Sequence, residues 1–145
     1  CLNRGAEATN ATHLLFLADD MPLDRGHLRA LCHPELVLHP MVNDRKECFG
    51  GAVCFPRDVW ESAKPWDENY RHGYYVDDDM FRHLKELGFQ QRVTSSVNLL
   101  HLHPSQTLIA IDRAGDNFNQ ENHNYFISKW GDWAPFEAPD DLIHG

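Results

Sequence analysis

The chain alternates short apolar runs with polar, Gly-containing and Pro-containing segments, a pattern that predicts an α/β protein. The strand-like runs cover residues 13–17, 36–42, 49–55 and 89–97. Pro40 lies inside the second run and cannot donate to a β-ladder, so that strand is expected at a sheet edge or at a bend.

The helices are predicted from their boundary residues. Asp24 is suited to cap a helix, and Gly88 and Gly131 are suited to end helices in a left-handed conformation. Residues 7–12 are predicted to be the end of a helix, and a short helix is predicted to run from the Asp24 cap through Leu31. A third helix is predicted to begin at Pro56-Arg57-Asp58 and end at Ala63. The last two are predicted over 79–87 and 117–130.

Side chains that can bind metals follow the first and last strand-like runs. Asp19 and Asp20 come directly after residues 13–17, and His101 and His103 come after the last apolar run. In open α/β sheets the ligand crevice lies at the carboxyl ends of the strands. Each pair also has an explanation that involves no metal. Asp before Met-Pro is common in turns, and a His on a strand is more often packed or exposed than a metal ligand.

Three adjacent carboxylates, Asp77, Asp78 and Asp79, lie where a loop is predicted to become a helix. Acidic residues are favoured in the first helical turn because they cap free N–H groups and oppose the helix dipole, so capping alone accounts for the triplet. The co-occurrence of carboxylates and imidazoles at strand and helix ends instead favours one active site.

Composition narrows the function classes. A chain of 145 residues with 42% hydrophobic residues is sufficient for one core domain, predicted over 1–131, followed by an acidic tail over 132–145. The net charge of −9 without a basic cluster argues against a nucleic-acid groove.

The apolar runs are far shorter than the roughly 20 residues of a membrane span, and no basic leader precedes an apolar segment. The four cysteines lack CxxC spacing, which favours thiols in a reducing, cytoplasmic compartment.

Six motifs in order resemble the second half of a GT-A-fold glycosyltransferase of the large inverting family. An Asn-Arg-Gly-Ala stretch at 3–6 is similar to the short motif that precedes the metal-binding strand in that family. The six motifs are 15–20, 50–52, 66–70, 77–84, His101 and 124–131.

The resemblance implies transfer of a sugar from a nucleotide-sugar donor to a glycan or another hydroxyl acceptor, with inversion. It also implies an α/β fold with a mixed, mainly parallel, Rossmann-like sheet flanked by helices. The family's N-terminal nucleotide-binding strands would precede Asn3, so a longer polypeptide, a partner chain or an oligomer is expected to supply the donor half.

The resemblance assigns the metal site. The family's Asp-x-Asp motif falls on Ala18-Asp19-Asp20, so Asp20 is the expected ligand of a divalent Mn²⁺ or Mg²⁺ ion and Asp19 an assisting residue. His101 matches a histidine that completes the metal site in some members, and His103 is the alternative. Imidazole beside oxygen ligands favours Mn²⁺.

The family's Glu-Asp pair falls on Val76-Asp77, which makes Asp77 the expected general base. Asp78 and Asp79 are candidates for binding an acceptor hydroxyl in place of the missing glutamate. Gly50 and Gly51 are expected to let a backbone or a ligand approach closely. The remaining candidates for substrate binding, some of them aromatic and suited to stack on a sugar ring, are Trp66, Asp67, Glu68 and Tyr75, with Tyr70 and Tyr74 as further stacking candidates.

Two alternatives from other classes remain open. A catalytically silent sugar-binding or interaction module on the same scaffold predicts glycan binding without turnover or a metal requirement. A metal-dependent hydrolase would use the same acids and histidines to activate water, with water as its only acceptor.

Overall fold

The computed structural model describes residues 2–48, 50–63, 66–102, 115 and 117–132. Most of the expected tail and His103 therefore lie outside the described residues. The strands are β1 (His13–Leu17), β2 (Val37–Val42), β3 (Ala52–Pro56) and β4 (Gln91–Leu99). The helices are α1 (Leu2–Glu7), α2 (Arg25–Leu31), α3 (Arg57–Ala63), α4 (Val76–Glu86) and α5 (Phe118–Trp130).

The four strands form one mixed sheet in the order β1-β3-β2-β4. β3 is antiparallel to both of its neighbours, and β2 is parallel to β4. The predicted α/β class is confirmed, whereas a mainly parallel sheet is wrong, because two of the three pairings are antiparallel. For β2 and β3 the short separation explains the difference: β2 ends at Val42 and β3 begins at Ala52, and parallel neighbours need a crossover of about a dozen residues or more.

β2 is an interior strand, so of the two expectations for Pro40, a sheet edge or a bend, the sheet edge is wrong. The pairing of β2 with β4 instead changes register between Pro40 and Met41. An irregularity in the ladder accommodates a residue that has no N–H to donate, which explains how proline is tolerated inside the sheet.

The core lies on both faces of the sheet. β3 is buried along its whole length, which accounts for its continuous apolar character. On one face Val53 and Phe55 join the hydrophobic cluster that includes residues of α3 and α4. On the other face Cys54 packs in a cluster with Leu31 of α2. Cys54 is a free thiol, as are Cys32 and Cys48.

Most of the predicted helix ends are confirmed, but the helix expected over 7–12 is wrong, because α1 already ends at Glu7. Asp24 caps α2 by accepting a hydrogen bond from the His27 backbone N–H at 3.0 Å. Gly88 and Gly131 have φ of 81° and 85° after α4 and α5. α4 begins earlier than predicted, at Val76, so that all three aspartates occupy its first turn. Among the described helices, none has the length and apolar character that crossing a bilayer requires.

Candidate active site at the carboxyl edge of the sheet

The segments that leave β1, β2 and β4 meet at one edge of the sheet. Asp20 follows β1 and His101 follows β4, and their Oδ2 and Nε2 atoms are 3.0 Å apart. Asn43, at the end of β2, accepts a hydrogen bond from the His101 backbone N–H at 3.1 Å and donates one to the His101 carbonyl at 3.4 Å. The structure therefore brings together the carboxylate and imidazole that the sequence places at two separate strand ends.

Asn43 and Asp44 form the turn after β2 from which Asn43 contacts the His101 backbone. Both have positive φ, 50° and 63°, a conformation that Asn and Asp tolerate better than most residues. The Asp44 backbone N–H donates to Asn98 Oδ1 at 3.2 Å, and Asn98 Nδ2 donates to Asp44 Oδ1 at 2.7 Å. These bonds fix the turn to β4 and hold Asn43 beside His101.

Gly50 and Gly51 lie at the same edge, because β3 begins where its antiparallel neighbours end. The Ala18 backbone N–H donates to the Gly51 carbonyl at 2.7 Å, which ties the segment leading to Asp20 to the glycine pair. A Cβ added at Gly50 would overlap the side chain of Asp77. The group that approaches Gly50 closely is thus a carboxylate of the protein itself, and any side chain at position 50 would displace it.

Asp77 and Asp78 are consecutive residues in the first turn of α4. Burial raises the pKa of Asp77, although hydrogen bonds from its own and the Asp78 backbone N–H groups oppose the shift. Burial, reinforced by the charge of Asp77, raises the pKa of Asp78 to about 6. Burial and the Asp78 charge also raise the pKa of the Tyr75 hydroxyl. A carboxyl whose pKa is raised toward neutrality is a better-matched proton acceptor than an ordinary aspartate.

Asp78→Asn is expected to stabilise the protein by about 1 kcal/mol at pH 7.5, a value discounted for the partial exposure of the carboxyl. The native pKa lies above the unfolded value, so the native state loses stability relative to the unfolded chain as pH rises from 3.8 through about 6. The gain in the variant should disappear below that window. Urea unfolding at several pH values measures the difference in free energy of unfolding between the variant and the parent. A gain in stability that is independent of pH would contradict the raised pKa of Asp78.

Asp79 is placed differently from its two neighbours. Its side chain is buried, and its carboxylate accepts hydrogen bonds from Tyr70 Oη at 3.1 Å, Lys129 Nζ at 2.8 Å and Trp130 Nε1 at 2.7 Å. With these donors in place, the carboxylate anchors α5 to the start of α4. This geometry favours a structural role for Asp79 over the acceptor-binding role expected from the sequence.

Asp67 belongs to the same network. It accepts hydrogen bonds from Tyr125 Oη and Lys129 Nζ, both at 3.0 Å. Burial alone would raise the pKa of Asp67, but its hydrogen bonds from the Asn69 backbone, Lys129 and Tyr125 outweigh that effect and lower it. Lys129 thus bridges two carboxylates that come from different parts of the chain, and Asp67 is engaged in holding α5.

Lys129→Met is expected to lower the free energy of unfolding by roughly 3 kcal/mol, because it leaves Asp79 and Asp67 without their shared cation. The estimate takes the lower end for a buried pair, since the Lys129 side chain is 32% exposed. Lys85→Met, at an exposed position of α4, is the matched control. Chemical denaturation measures both variants, and equal small losses would show that the bridge contributes little.

Three of the expected substrate-binding residues, Trp66, Asp67 and Glu68, line one cavity, and Tyr75 is not among its lining residues. Trp66 is only 5% exposed and packs edge-on against Phe16 and Phe55, so most of its ring belongs to the core. Glu68 is exposed and accepts a hydrogen bond from Asn3 Nδ2 at 3.0 Å. Tyr75 is half-buried directly before α4. Asp19 is exposed beside Asp20.

The donor atoms at this edge determine which divalent ion the site suits. In the described ranges, no group of three or more His, Cys, Asp or Glu side chains is arranged to hold a metal. Asp20 and His101 supply one carboxylate and one imidazole. Mg²⁺ at phosphate-binding sites commonly takes only one or two carboxylates and completes its shell with phosphate and water, and an imidazole ligand favours Mn²⁺. The pair fits an ion that binds together with a diphosphate.

Comparison with known proteins gives no match. No protein-family model fits this chain, and no similar curated protein or solved structure was found. A functional proposal for the chain therefore depends on the chemistry and geometry of its own residues.

Proposed function

We propose that this domain is a metal-dependent glycosyltransferase that moves a sugar from a nucleotide-sugar donor to an acceptor hydroxyl with inversion at the anomeric carbon. The observation that supports it best is the meeting of two features at one sheet edge. Asp20 pairs with His101 there, and Asp77 is seated against Gly50, whose neighbour Gly51 is bonded to the segment leading to Asp20. A carboxylate–imidazole pair suited to hold a metal ion and a candidate proton acceptor are thus linked at the same edge of the sheet.

In this proposal Asp77 is the general base. It takes the proton from the acceptor hydroxyl as that oxygen bonds to the anomeric carbon and the bond from that carbon to the diphosphate oxygen breaks. Direct displacement from the opposite face inverts the configuration. The raised pKa of the buried Asp77 carboxyl brings it closer to the operating pH, which is the condition for efficient proton transfer.

Asp20 and His101 are the residues that would hold Mn²⁺ or Mg²⁺. When bound, such an ion would offset the charge that develops on the departing nucleoside diphosphate. Asp78, beside the base, is placed to accept a hydrogen bond from a second hydroxyl of the acceptor. Recognition of the nucleoside is assigned to structure beyond the described sheet, supplied by the same polypeptide or by a partner chain.

The test is an assay on the complete active assembly with nucleotide-sugars, Mn²⁺ and glycan acceptors, following both diphosphate release and the fate of the sugar. A transferase releases diphosphate in step with glycosylated acceptor. A hydrolase would release free sugar whether or not an acceptor is present. Glycan binding without diphosphate release would instead indicate the silent module, and either of these results would overturn the proposal.

A further inference from the structure

Asn122 of α5 is buried, and its side-chain amide forms hydrogen bonds with backbone groups of another segment. It is 2% exposed. Its Oδ1 accepts a hydrogen bond from the Arg71 backbone N–H at 2.9 Å, and its Nδ2 donates to the carbonyls of Arg71 and Tyr74 at 2.8 and 2.9 Å. Both amide hydrogens and the amide oxygen are therefore committed to one loop, residues 71–74, whose first three residues form a short 3₁₀ turn.

That loop has an unusual backbone. His72 has φ of 56° and Gly73 has φ of 77°, and Tyr75, the next residue after the loop, has φ of 69°. Positive φ is sparsely populated for residues with a Cβ and is a genuine outlier for bulky ones, so it persists only where the surroundings determine it. Tyr75 leads directly into Val76 and Asp77, so the conformation of this stretch sets the start of α4.

α5 contributes further contacts to the same stretch. Glu121 Oε2 pairs with Arg71 Nη1 at 2.7 Å. The Phe118 ring lies 5.2 Å from that of His72 and 5.3 Å from that of Tyr74, between ring centroids. The Arg71–Glu121 pair is exposed and Phe118 is buried at 3% exposed, whereas Asn122 is the buried polar group that bonds the loop backbone itself.

We propose that Asn122 is a positioning residue for Asp77. By holding the 71–74 loop, its amide fixes the first turn of α4 so that the Asp77 carboxylate stays seated against Gly50. The catalytic value of positioning Asp77 rests on the proposed function, in which Asp77 is the general base. The mechanical coupling between Asn122 and Asp77 can be measured without any substrate.

The test compares Asn122→Leu with the parent and with Asn119→Leu, an exposed position on the same helix. Leucine keeps the approximate size of the side chain and removes all three hydrogen bonds. Carboxyl NMR with ¹³C-labelled aspartate is used to titrate Asp77 and Asp78 together. Because burial raises the pKa of Asp77 in the parent, loosening the loop should expose the carboxyl and move that pKa down toward the ordinary aspartate value.

In the transfer assay, Asn122→Leu is expected to lower kcat by roughly tenfold or more with little change in KM for the donor, since a displaced base slows the chemical step. Asn119→Leu should leave both the titration and kcat unchanged. An Asp77 pKa equal to that of the parent in folded Asn122→Leu would overturn the proposal. If that variant fails to fold, Asn122→Ala, which leaves room for water to satisfy the loop groups, is titrated in its place.

The two proposals fail separately. If the parent protein transfers no sugar, the glycosyltransferase assignment is wrong, and the titration of Asp77 still decides whether Asn122 positions it. If the parent transfers sugar and the titration does not respond to Asn122, only the positioning role is wrong.

Discussion

Asp77→Asn is expected to lower the rate of sugar transfer by about 10²–10⁴ while the protein remains folded and still binds metal and nucleoside diphosphate. Asparagine has nearly the same size and can still accept hydrogen bonds from the N–H groups at the start of α4, but it cannot take a proton. Because the carboxyl of Asp77 has its pKa raised by burial, the neutral amide should leave the melting temperature unchanged or slightly higher. Initial rates and thermal unfolding are measured on the same preparation.

The control for this variant is Asp58→Asn. Asp58 also occupies the first turn of a helix, α3, but it is exposed. Both substitutions replace an acidic residue in a helical first turn, and only one is expected to affect chemistry. Transfer by Asp77→Asn within a few-fold of the parent would show that Asp77 serves only as a helix-start residue.

Asp20→Ala is expected to weaken Mn²⁺ binding by about 100-fold or more, because it removes the carboxylate that lies 3.0 Å from the His101 imidazole at the sheet edge. His101→Ala should weaken it as well, through loss of the imidazole ligand. Asp19→Ala, the exposed neighbour, is expected to change the affinity by only a few-fold. Calorimetry with Mn²⁺ in the presence of a nucleoside diphosphate measures all three.

If Mn²⁺ affinity is unchanged in both Asp20→Ala and His101→Ala, the metal either binds elsewhere or does not bind. The pair at 3.0 Å would then be an ordinary ion pair that ties the ends of β1 and β4 together. In that case the two substitutions would lower stability without affecting metal binding, a result that thermal unfolding distinguishes.

The local features of the fold were predictable because they depend on nearby residues. β1 has the predicted bounds, and α3 ends at Ala63 as predicted. Asp24, Gly88 and Gly131 act at the helix ends where their capping chemistry predicts. The meeting of Asp20 and His101 also follows from the sequence, since both lie directly after apolar runs and the carboxyl ends of like-directed strands share an edge.

The remaining features depend on contacts that no local pattern encodes. Pro40 predicts either an edge strand or a bend, and the sequence alone does not decide between them; β2 is interior, and a shift of register beside Pro40 removes the need for its missing N–H. The three aspartates look equivalent in sequence, but it is Asp79 that accepts hydrogen bonds from Lys129 and Trp130, which are distant along the chain. Asn122 resembles any helical asparagine until the 71–74 loop is placed against it.

A limited signal for the α5 contacts was present in the sequence. Asn122, Tyr125 and Lys129 are spaced three and four residues apart, which places them on one face of a helix. That spacing predicts a shared polar face. It does not identify Asp67, Asp79 and the loop over 71–74 as the partners, because those contacts arise only when α5 packs against the start of α4.

The most direct measurement is a crystal structure of the protein soaked with Mn²⁺ and a nucleoside diphosphate, with the ion identified by its anomalous scattering. We expect an ion bound by Asp20 and His101, with the diphosphate on it and the Asp77 carboxylate facing the same space beside Gly50. An ion bound elsewhere, or a diphosphate remote from Asp77, would contradict the claim that these residues form one active site.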